Sequence, residues 1–486
     1  MNMLSLIAFI PFLGGLVVLC LPPRKERLIQ IVALASGGAS MVLSALLLFQ
    51  FDRSTPAMQF VERVPWIPSM DINYFLGVDG LSFPLLLLTT FITFLALVGS
   101  LGIRERVKEY FFWFLLLETG MIGVFVALDM VLFYVFWELT LVPMYFLIGI
   151  WGGPQKEFAA IKFFLYTLTG SVFMLLAILA VYFNSTPHTF DMLALMKAHL
   201  GWSARFQILV FLGFYLGFAV KVPAFPFHTW LPLAHVEAPT AVSVVLAAIL
   251  LKMGVYGILR ISYQMLPQGF EWFLPALIVI AVINIVYGAL CAMAQTDMKK
   301  MVAYSSVNHM GYCLLGIAGV TATGFSGAVL QMVNHGIITG ALFLLVGVIY
   351  DRAHTRDLSA FGGLAVKVPV YAGLMSLACF ASLGLPGLAG FVSEFLCFLG
   401  AFQRWKICTA VSVIGIITTA AFFLRMIEKV FHGPFNAKWA TLEDVTAREL
   451  VSIAPLAVAM VALGVYPKPA LDLMNTTMIH MAALFK

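Results

Sequence analysis

The sequence predicts an all-α polytopic membrane protein with about fourteen transmembrane helices, two of them broken. Three observations carry this. The 486 residues are 62% hydrophobic and only 10% charged, against roughly 45–50% and about 25% in an average soluble domain. Apolar runs of about 20 residues, the length that crosses a bilayer, recur along the whole chain. The longest polar stretches, 51–73, 184–205 and 432–448, are too short for a domain with its own core. The alternating short segments of a β-barrel are not evident.

Taken in order, the expected spans lie near 3–22, 28–50, 79–101, 110–128, 130–150, 160–183, 206–230, 239–262, 272–295, 301–320, 324–350, 367–402, 407–431 and 450–467. The first run, MNMLSLIAFIPFLGGLVVLCLPPRKER, lacks a basic leader and is positively charged only after its apolar part. It reads as a retained span that starts outside. Basic residues then alternate in density from loop to loop. Arg24, Lys25, Arg27, Arg104, Arg106, Lys108, Lys156, Lys299, Lys300, Arg352, Arg356, Lys429, Lys438 and Arg448 fall in odd loops. Arg53, Arg63, Lys197, Arg205, Arg404 and Lys406 fall in even ones. The odd side is therefore expected to be cytoplasmic or its equivalent, with both termini outside.

Two spans contain helix breakers. AVKVPAFPFHTWLP carries Pro223, Pro226 and Pro232, and LGLPGLAGFVSEF carries Pro386 among Gly384, Gly387 and Gly390. Proline removes a helix hydrogen bond and crowds the preceding turn. In lipid the freed carbonyls must find partners in protein or in cavity water. The seventh and twelfth spans are five apart, and odd spacing reverses direction, so two inverted five-helix units are expected. The division is three N-terminal helices in 1–105, a first unit in 106–265, its inverted counterpart in 266–432, and a loop with the last helix in 433–486.

An ionisable side chain at mid-span costs roughly 2.5–3.5 kcal/mol on insertion scales. Glu118, Glu138, Lys162, Lys221, Lys252 and Glu394 all fall inside apolar runs. Any one of them can be paired or can snorkel. Together they put acids and bases on several helices, which is the equipment of a proton relay. Polar residues also recur at helical spacing: Ser305, His309 and Tyr312; Gln331, His335 and Thr339; Lys252 and Tyr256; Lys162, Tyr166 and Thr169. For a lone Ser or Thr, interhelical hydrogen bonding is the better explanation. His309 and His335, on neighbouring helices, fit a water-filled path as well as they fit a structural role. His228 and His235 are expected where the seventh helix meets its cytoplasmic loop, a point of proton uptake.

Other classes are disfavoured. The net charge of +5 is spread over many loops, and no basic run alternates with aromatics, so nucleic acid is not an expected partner. The six cysteines are scattered without a CxxC pair, which argues against iron–sulfur, zinc or disulfide frameworks. No Rossmann glycine pattern is present. A haem on His309 and His335 and a purely structural anchor are the remaining rivals from other classes. A Soret band would reveal the haem, and an anchor leaves the buried charges without a purpose.

Several stretches carry a family resemblance: GVDGLSFPLLLLTTFIT, DMVLFYVFWELTLVPMYFLIGIWGG, KVPAFPFHTWLPLAHVEAPTAVSVVLAAILLKMGVYG, KKMVAYSSVNHMGY, QMVNHGIITGALFLLVG and LPGLAGFVSEF. In these the chain resembles the NuoM-type (chain M) antiporter-like subunits of respiratory complex I, NADH:quinone oxidoreductase, within a superfamily shared with Mrp antiporters. The resemblance implies that Glu138 is the helix-5 glutamate paired with the helix-7 lysine, Lys221. It makes Lys252 the helix-8 lysine and Glu394 the helix-12 terminal residue, where L- and N-type chains commonly have Lys. His228, His309 and His335 match channel-lining histidines. Leu233 and Val242 depart from the family's usual Asp and Gly.

The resemblance further implies proton translocation, along a path running from Lys252 to Lys221 gated by Glu138, then through His309 and His335 to Glu394. It implies no cofactor in this chain. NADH, FMN, iron–sulfur clusters and quinone belong to partner subunits, and the neighbours are L- and N-type membrane chains and lipid. It places the chain in a bacterial inner membrane with periplasmic termini. The alternatives are an Mrp-type cation/proton antiporter subunit, or the equivalent subunit of a related hydrogenase or photosynthetic NDH complex.

Overall fold

Backbone groups that cannot be solvated by lipid force this chain into helices, and a computed structural model describing residues 2–484 shows how. The helices are α1 (Met3–Cys20), α2 (Glu26–Leu47), α3 (Phe83–Gly99), α4 (Val107–Val126), α5 (Met130–Leu139), α6 (Leu141–Trp151), α7 (Lys156–Asn184), α8 (Met192–Ala198), α9 (Ala204–Lys221) and α10 (Trp230–Glu237). They continue as α11 (Thr240–Val245), α12 (Leu251–Gly257), α13 (Pro267–Met293), α14 (Met298–Ala318), α15 (Ala322–Ala353), α16 (Pro369–Ser382), α17 (Ala389–Phe402), α18 (Lys406–Phe431), α19 (Ala447–Val465) and α20 (Lys468–Ala483).

Among the described residues, twelve helices are long and apolar enough to cross a membrane, with Met130–Trp151 and Thr240–Tyr263 each counted as one. The chain is thus a polytopic helical membrane protein. Two further runs expected from the sequence look different in detail. α14 has the length, at 21 residues, but carries Lys299, Lys300, Ser305, Ser306, Asn308 and His309. The 367–402 run is two helices of 14 residues each, α16 and α17.

The first break falls between Lys221 and Trp230, at Pro223 and Pro226. Its freed groups are satisfied by side chains. Trp230 Nε1 donates to the Val220 carbonyl at 2.9 Å. Asn284 Nδ2 donates to the Pro223 carbonyl at 2.9 Å, and Asn284 Oδ1 accepts from Phe225 N at 2.8 Å. Pro232, expected to share in the break, sits instead in the first turn of α10, where an N–H has no helical partner to lose. The second break, between Ser382 and Ala389, turns on Gly384 (φ +78°) and Gly387 (φ +91°), a backbone region open to glycine at little cost. His309 Nε2 lies 2.8 Å from the freed Ser382 carbonyl, and Asn334 Nδ2 donates to the Ala389 carbonyl at 2.6 Å.

The centre of the molecule is the span Thr240–Tyr263, buried throughout after Thr240, and the 32-residue α15, buried over most of its middle. Thr240–Tyr263 is interrupted twice by π-helical turns, at Leu246–Leu250 and Ile258–Tyr263. Such turns frequently mark functional sites. The outer helices α1, α2, α18 and α19 leave large apolar side chains exposed, among them Leu13, Ile31, Ile417 and Val458, as a lipid-facing surface requires.

Several elements were not expected. The 51–73 stretch and the residues after it hold an antiparallel hairpin, β1 (Gln59–Ile67) and β2 (Ile72–Val78), with Val64 opposite Tyr74. α8 lies in the 184–205 stretch, and α20 follows the last expected span and packs on α15. Two isolated bridges tie helix starts to later loops. Asp129, which caps α5, faces Asp191, and Asp297, which caps α14, faces Asp357. Their hydrogen bonds match one for one. Met130 N donates to Phe190 O and Met192 N to Leu128 O, both at 2.9 Å; Met298 N donates to Arg356 O at 3.0 Å and Leu358 N to Thr296 O at 2.9 Å.

Candidate proton-transfer site

Lys252 sits on α12 between the two π turns, fully buried. A charge there survives only if it is hydrogen-bonded. Its Nζ donates to the Ala247 carbonyl at 2.5 Å and lies 2.6 Å from His335 Nδ1. The first contact is a carbonyl within the π turn. The second crosses to α15. His335 Nε2 has no hydrogen-bond partner, and Thr339 Oγ1 donates to the His335 carbonyl one turn on.

The row continues on α14 and α17. The His309 ring centroid is 5.5 Å from that of His335. His309 Nδ1 lies 2.7 Å from the Ser305 carbonyl and Nε2 lies 2.8 Å from the Ser382 carbonyl. A neutral imidazole has one N–H and can donate to only one of these acceptors. His309 Nε2 is also 3.6 Å from Glu394 Oε1. The carboxylate is buried beside Gly384, where a Cβ would come within 2.9 Å of Glu394 Oε2. Next to it on α17, Ser393 donates to Gln331 Oε1 at 2.6 Å and accepts from Asn334 at 3.0 Å.

Lys221 and Glu138 form a second group. Lys221 ends α9 at the first break and is buried. It does not form a direct ion pair with Glu138, contrary to the pairing the resemblance implies. Its Nζ donates to Thr140 Oγ1 at 3.4 Å and sits 5.4 Å from the Trp137 ring centroid and 5.7 Å from that of Phe163. It thus touches the residues flanking Glu138 and remains within Coulombic reach of the carboxylate. Glu138 Oε1 is buried without a hydrogen-bond partner. Trp137 and Glu138 are neighbours on one helix, so they point about 100° apart, which is why the lysine meets the ring and not the acid.

The spatial order also differs from the expected one. It is Lys252, not Lys221, that touches His335. The contacts therefore run Lys252, His335, His309 and Glu394, with Glu138 and Lys221 as a separate group. His228 lies inside the first break, not at the cytoplasmic loop. It is buried, its Nδ1 is unpartnered, and its ring centroid is 5.3 Å from that of Tyr287. His235, on α10, is fully buried with both nitrogens unpartnered, and its ring stacks 4.5 Å from Phe343.

Lys299, counted as a loop residue by its sequence position, is buried at the start of α14. Its Nζ donates to the Ala238 carbonyl at 2.6 Å. With Glu237, Asp351 and Arg356 it lines a cavity of about 570 Å³ on the odd-loop side, the side of His235. The remaining expected candidates stand apart from the row. Glu118 is fully buried on α4 with neither oxygen hydrogen-bonded, facing Gly37 of α2. Lys162 is half-buried against the Tyr166 ring, 5.8 Å from its centroid.

One buried pair escaped sequence reading altogether. Arg260 and Asp79, both almost fully buried, form a direct ion pair. Asp79 lies in the GVDGLSF stretch and Arg260 in the apolar run after Lys252, 181 residues away. An arginine inside a hydrophobic span was the available signal. Its position near the expected helix end made it resemble a snorkelling residue.

Comparison with known proteins follows the same lines. Residues 127–420 match the family described as NADH:quinone oxidoreductase/Mrp antiporter, TM. Residues 27–123 match the amino terminus of NADH-ubiquinone oxidoreductase chain 4. NADH-quinone oxidoreductase subunit M from Rhodobacter capsulatus is 46% identical, with 99% of this chain and 96% of that protein covered. The subunit of the same name from Rickettsia bellii is 40% identical, with 99% of each covered. A chain in the structure of respiratory complex I from Thermus thermophilus with bound NADH superposes with a TM-score of 0.90 at 30% identity, covering 100% of both chains.

Proposed function

The chain belongs to the NADH:quinone oxidoreductase/Mrp antiporter family, and from that premise we propose the way its buried charges work. It is a proton-translocating membrane subunit of NADH:quinone oxidoreductase, of the subunit M type. The observation that carries the mechanism is the row of ionisable groups on α12, α15, α14 and α17, with Lys252 at 2.6 Å from His335 and His309 at 3.6 Å from Glu394.

Each group has a role its surroundings suit. Protons reach the row from the odd-loop cavity beside Lys299 and Glu237, through His235. Lys252 holds a proton and passes it to His335 Nδ1, which accepts a hydrogen bond from it when the ring is neutral. His309, caught between two carbonyls and a carboxylate, carries the proton on to Glu394. Lys221, in the separate group, sets the charge of the row. When Glu138 moves toward it, both stay charged. When they separate, the buried ammonium loses its counter-charge and tends to release its proton. His228, in the first break, borders the Lys221 end.

Moving one charge against 100 mV costs about 2.3 kcal/mol, so the transfer is driven by the redox reaction. NADH, flavin, iron–sulfur clusters and quinone are assigned to partner subunits, with neighbouring L- and N-type membrane chains completing the hetero-oligomer. The membrane is a bacterial inner membrane, with both termini on the periplasmic side. Counting α14 and the α16–α17 pair as crossings gives fourteen spans, in agreement with the alternation of basic loops. The paired bridges, Asp129 with Asp191 and Asp297 with Asp357, support two inverted five-helix units at 106–265 and 266–432.

The test is redox-coupled proton pumping by the assembled complex in vesicles. Glu138→Gln or Lys221→Ala is expected to abolish it, and retention of full pumping by both would overturn the proposal. Sodium/proton exchange without NADH would instead favour an Mrp-type role.

A further inference from the structure

Lys252, Tyr256 and Arg260 are spaced four residues apart on the central helix, and all are essentially fully buried. On a helix this spacing stacks side chains on one face, rising about 6 Å per step. The face therefore leads from Lys252 toward the even-loop end of the helix. Tyr256 is joined to the next step. Arg260 Nε donates to its hydroxyl at 3.2 Å, and that hydroxyl donates to the Phe125 carbonyl at 3.3 Å. Arg260 in turn pairs with Asp79, whose carboxylate also accepts from Leu81 N at 3.0 Å and Ser82 N at 3.1 Å. Asp79 and Arg260 line a cavity of about 380 Å³ that also touches the exposed Lys197 and His480. A buried charge pair near the even-loop end of the helix thus meets a cavity of mixed lining that reaches exposed side chains.

We propose that Asp79, with Tyr256 and Arg260, is an outward proton exit from Lys252, separate from the row that leads to Glu394. The inference rests on the pumping role argued above. The Lys252 ammonium gives a proton to the Tyr256 hydroxyl through a water, and the hydroxyl turns from the Phe125 carbonyl and releases its own proton, through a second water, to the Asp79 carboxylate. Lys252 becomes a neutral amine and Tyr256 is unchanged. Asp79, neutral for a moment, then releases the proton to water in the cavity. The Arg260 guanidinium controls this last acceptor, because its direct ion pair with Asp79 occupies the carboxylate. Opening of the pair admits the proton and closing expels it. The π turn at Ile258–Tyr263 gives Arg260 a place where the backbone can shift register.

The experiment measures protons delivered to the outside per NADH oxidised, in vesicles holding the assembled complex, for Tyr256→Phe, Asp79→Asn, Asp79→Glu and Glu138→Gln. Tyr256→Phe keeps the ring and loses only the hydroxyl. It and Asp79→Asn are expected to lower the yield about twofold or more, with Asp79→Glu restoring it and the solvent deuterium isotope effect on pumping changed in Tyr256→Phe. Full yield in Tyr256→Phe beside a lost yield in Glu138→Gln overturns the exit and leaves the ion pair structural. Full yield in all four overturns the pumping role itself. If Asp79→Asn prevents assembly, Tyr256→Phe and Asp79→Glu decide the matter.

Discussion

Lys252 Nζ lies 2.6 Å from His335 Nδ1, across the interface of two deeply buried helices, α12 and α15. The far nitrogen of that imidazole has no hydrogen-bond partner. Replacing Lys252 with Met keeps a long side chain but removes the ammonium. Proton pumping by the assembled complex is expected to fall at least about tenfold, the scale of losing a proton-transfer group. His335→Gln keeps a hydrogen-bonding side chain but removes the titrating ring. It should fall similarly, with the amount of assembled complex checked by blue-native gel.

Glu394→Gln changes one atom and removes the acid. It is expected to abolish pumping with little loss of assembly, since the amide is nearly isosteric. Pumping in vesicles, normalised to complex content, checks this. Wild-type pumping in the variant would remove Glu394 from the path.

Gly384→Ala tests the same carboxylate from the backbone. The residue has φ +78° and its Cβ would sit 2.9 Å from Glu394 Oε2. The substitution must displace the acid or strain the turn, at about 1–2 kcal/mol for a left-handed residue with a side chain. Reduced pumping is expected although no ionisable group is lost. An unchanged rate would mean that the second break accommodates a methyl group freely.

Asn284→Leu removes the two hydrogen bonds that this side chain gives the first break, to the Pro223 carbonyl and the Phe225 amide. Each buried backbone group left unpaired costs about 1–3 kcal/mol. The variant is expected to lower the thermal stability of the complex and to increase proteolysis after detergent extraction. Stability equal to wild type would show that water replaces the side chain.

Most of the site was legible in the sequence because a bilayer makes charge conspicuous. Lys221, Lys252, Glu138 and Glu394 stand out against apolar neighbours, and Pro223, Pro226, Gly384 and Gly387 mark the breaks. What the sequence hid is distance and direction. Glu138 and Lys221 read as a pair, yet Trp137 and Thr140 face the lysine. The Asp79–Arg260 pair spans 181 residues, beyond any local pattern. Lys299 lies beside a loop, and tertiary packing buries it. The β1–β2 hairpin was missed because one strand is largely exposed and the other largely buried, so neither alternates. α20 follows Pro467 and lacks the long apolar run by which the other helices were found.

The burial of the central helix also sets a schedule for biosynthesis. Arg260 emerges after Asp79 has already been made, so its counter-ion is waiting. Lys252 precedes His335 by 83 residues. At about 5–20 residues per second of translation, the ammonium spends roughly 4–17 s in or near the translocon without its final partner. During that interval the insertion machinery, or the lipid–water boundary, has to shelter a charge that the finished protein seals away from lipid altogether.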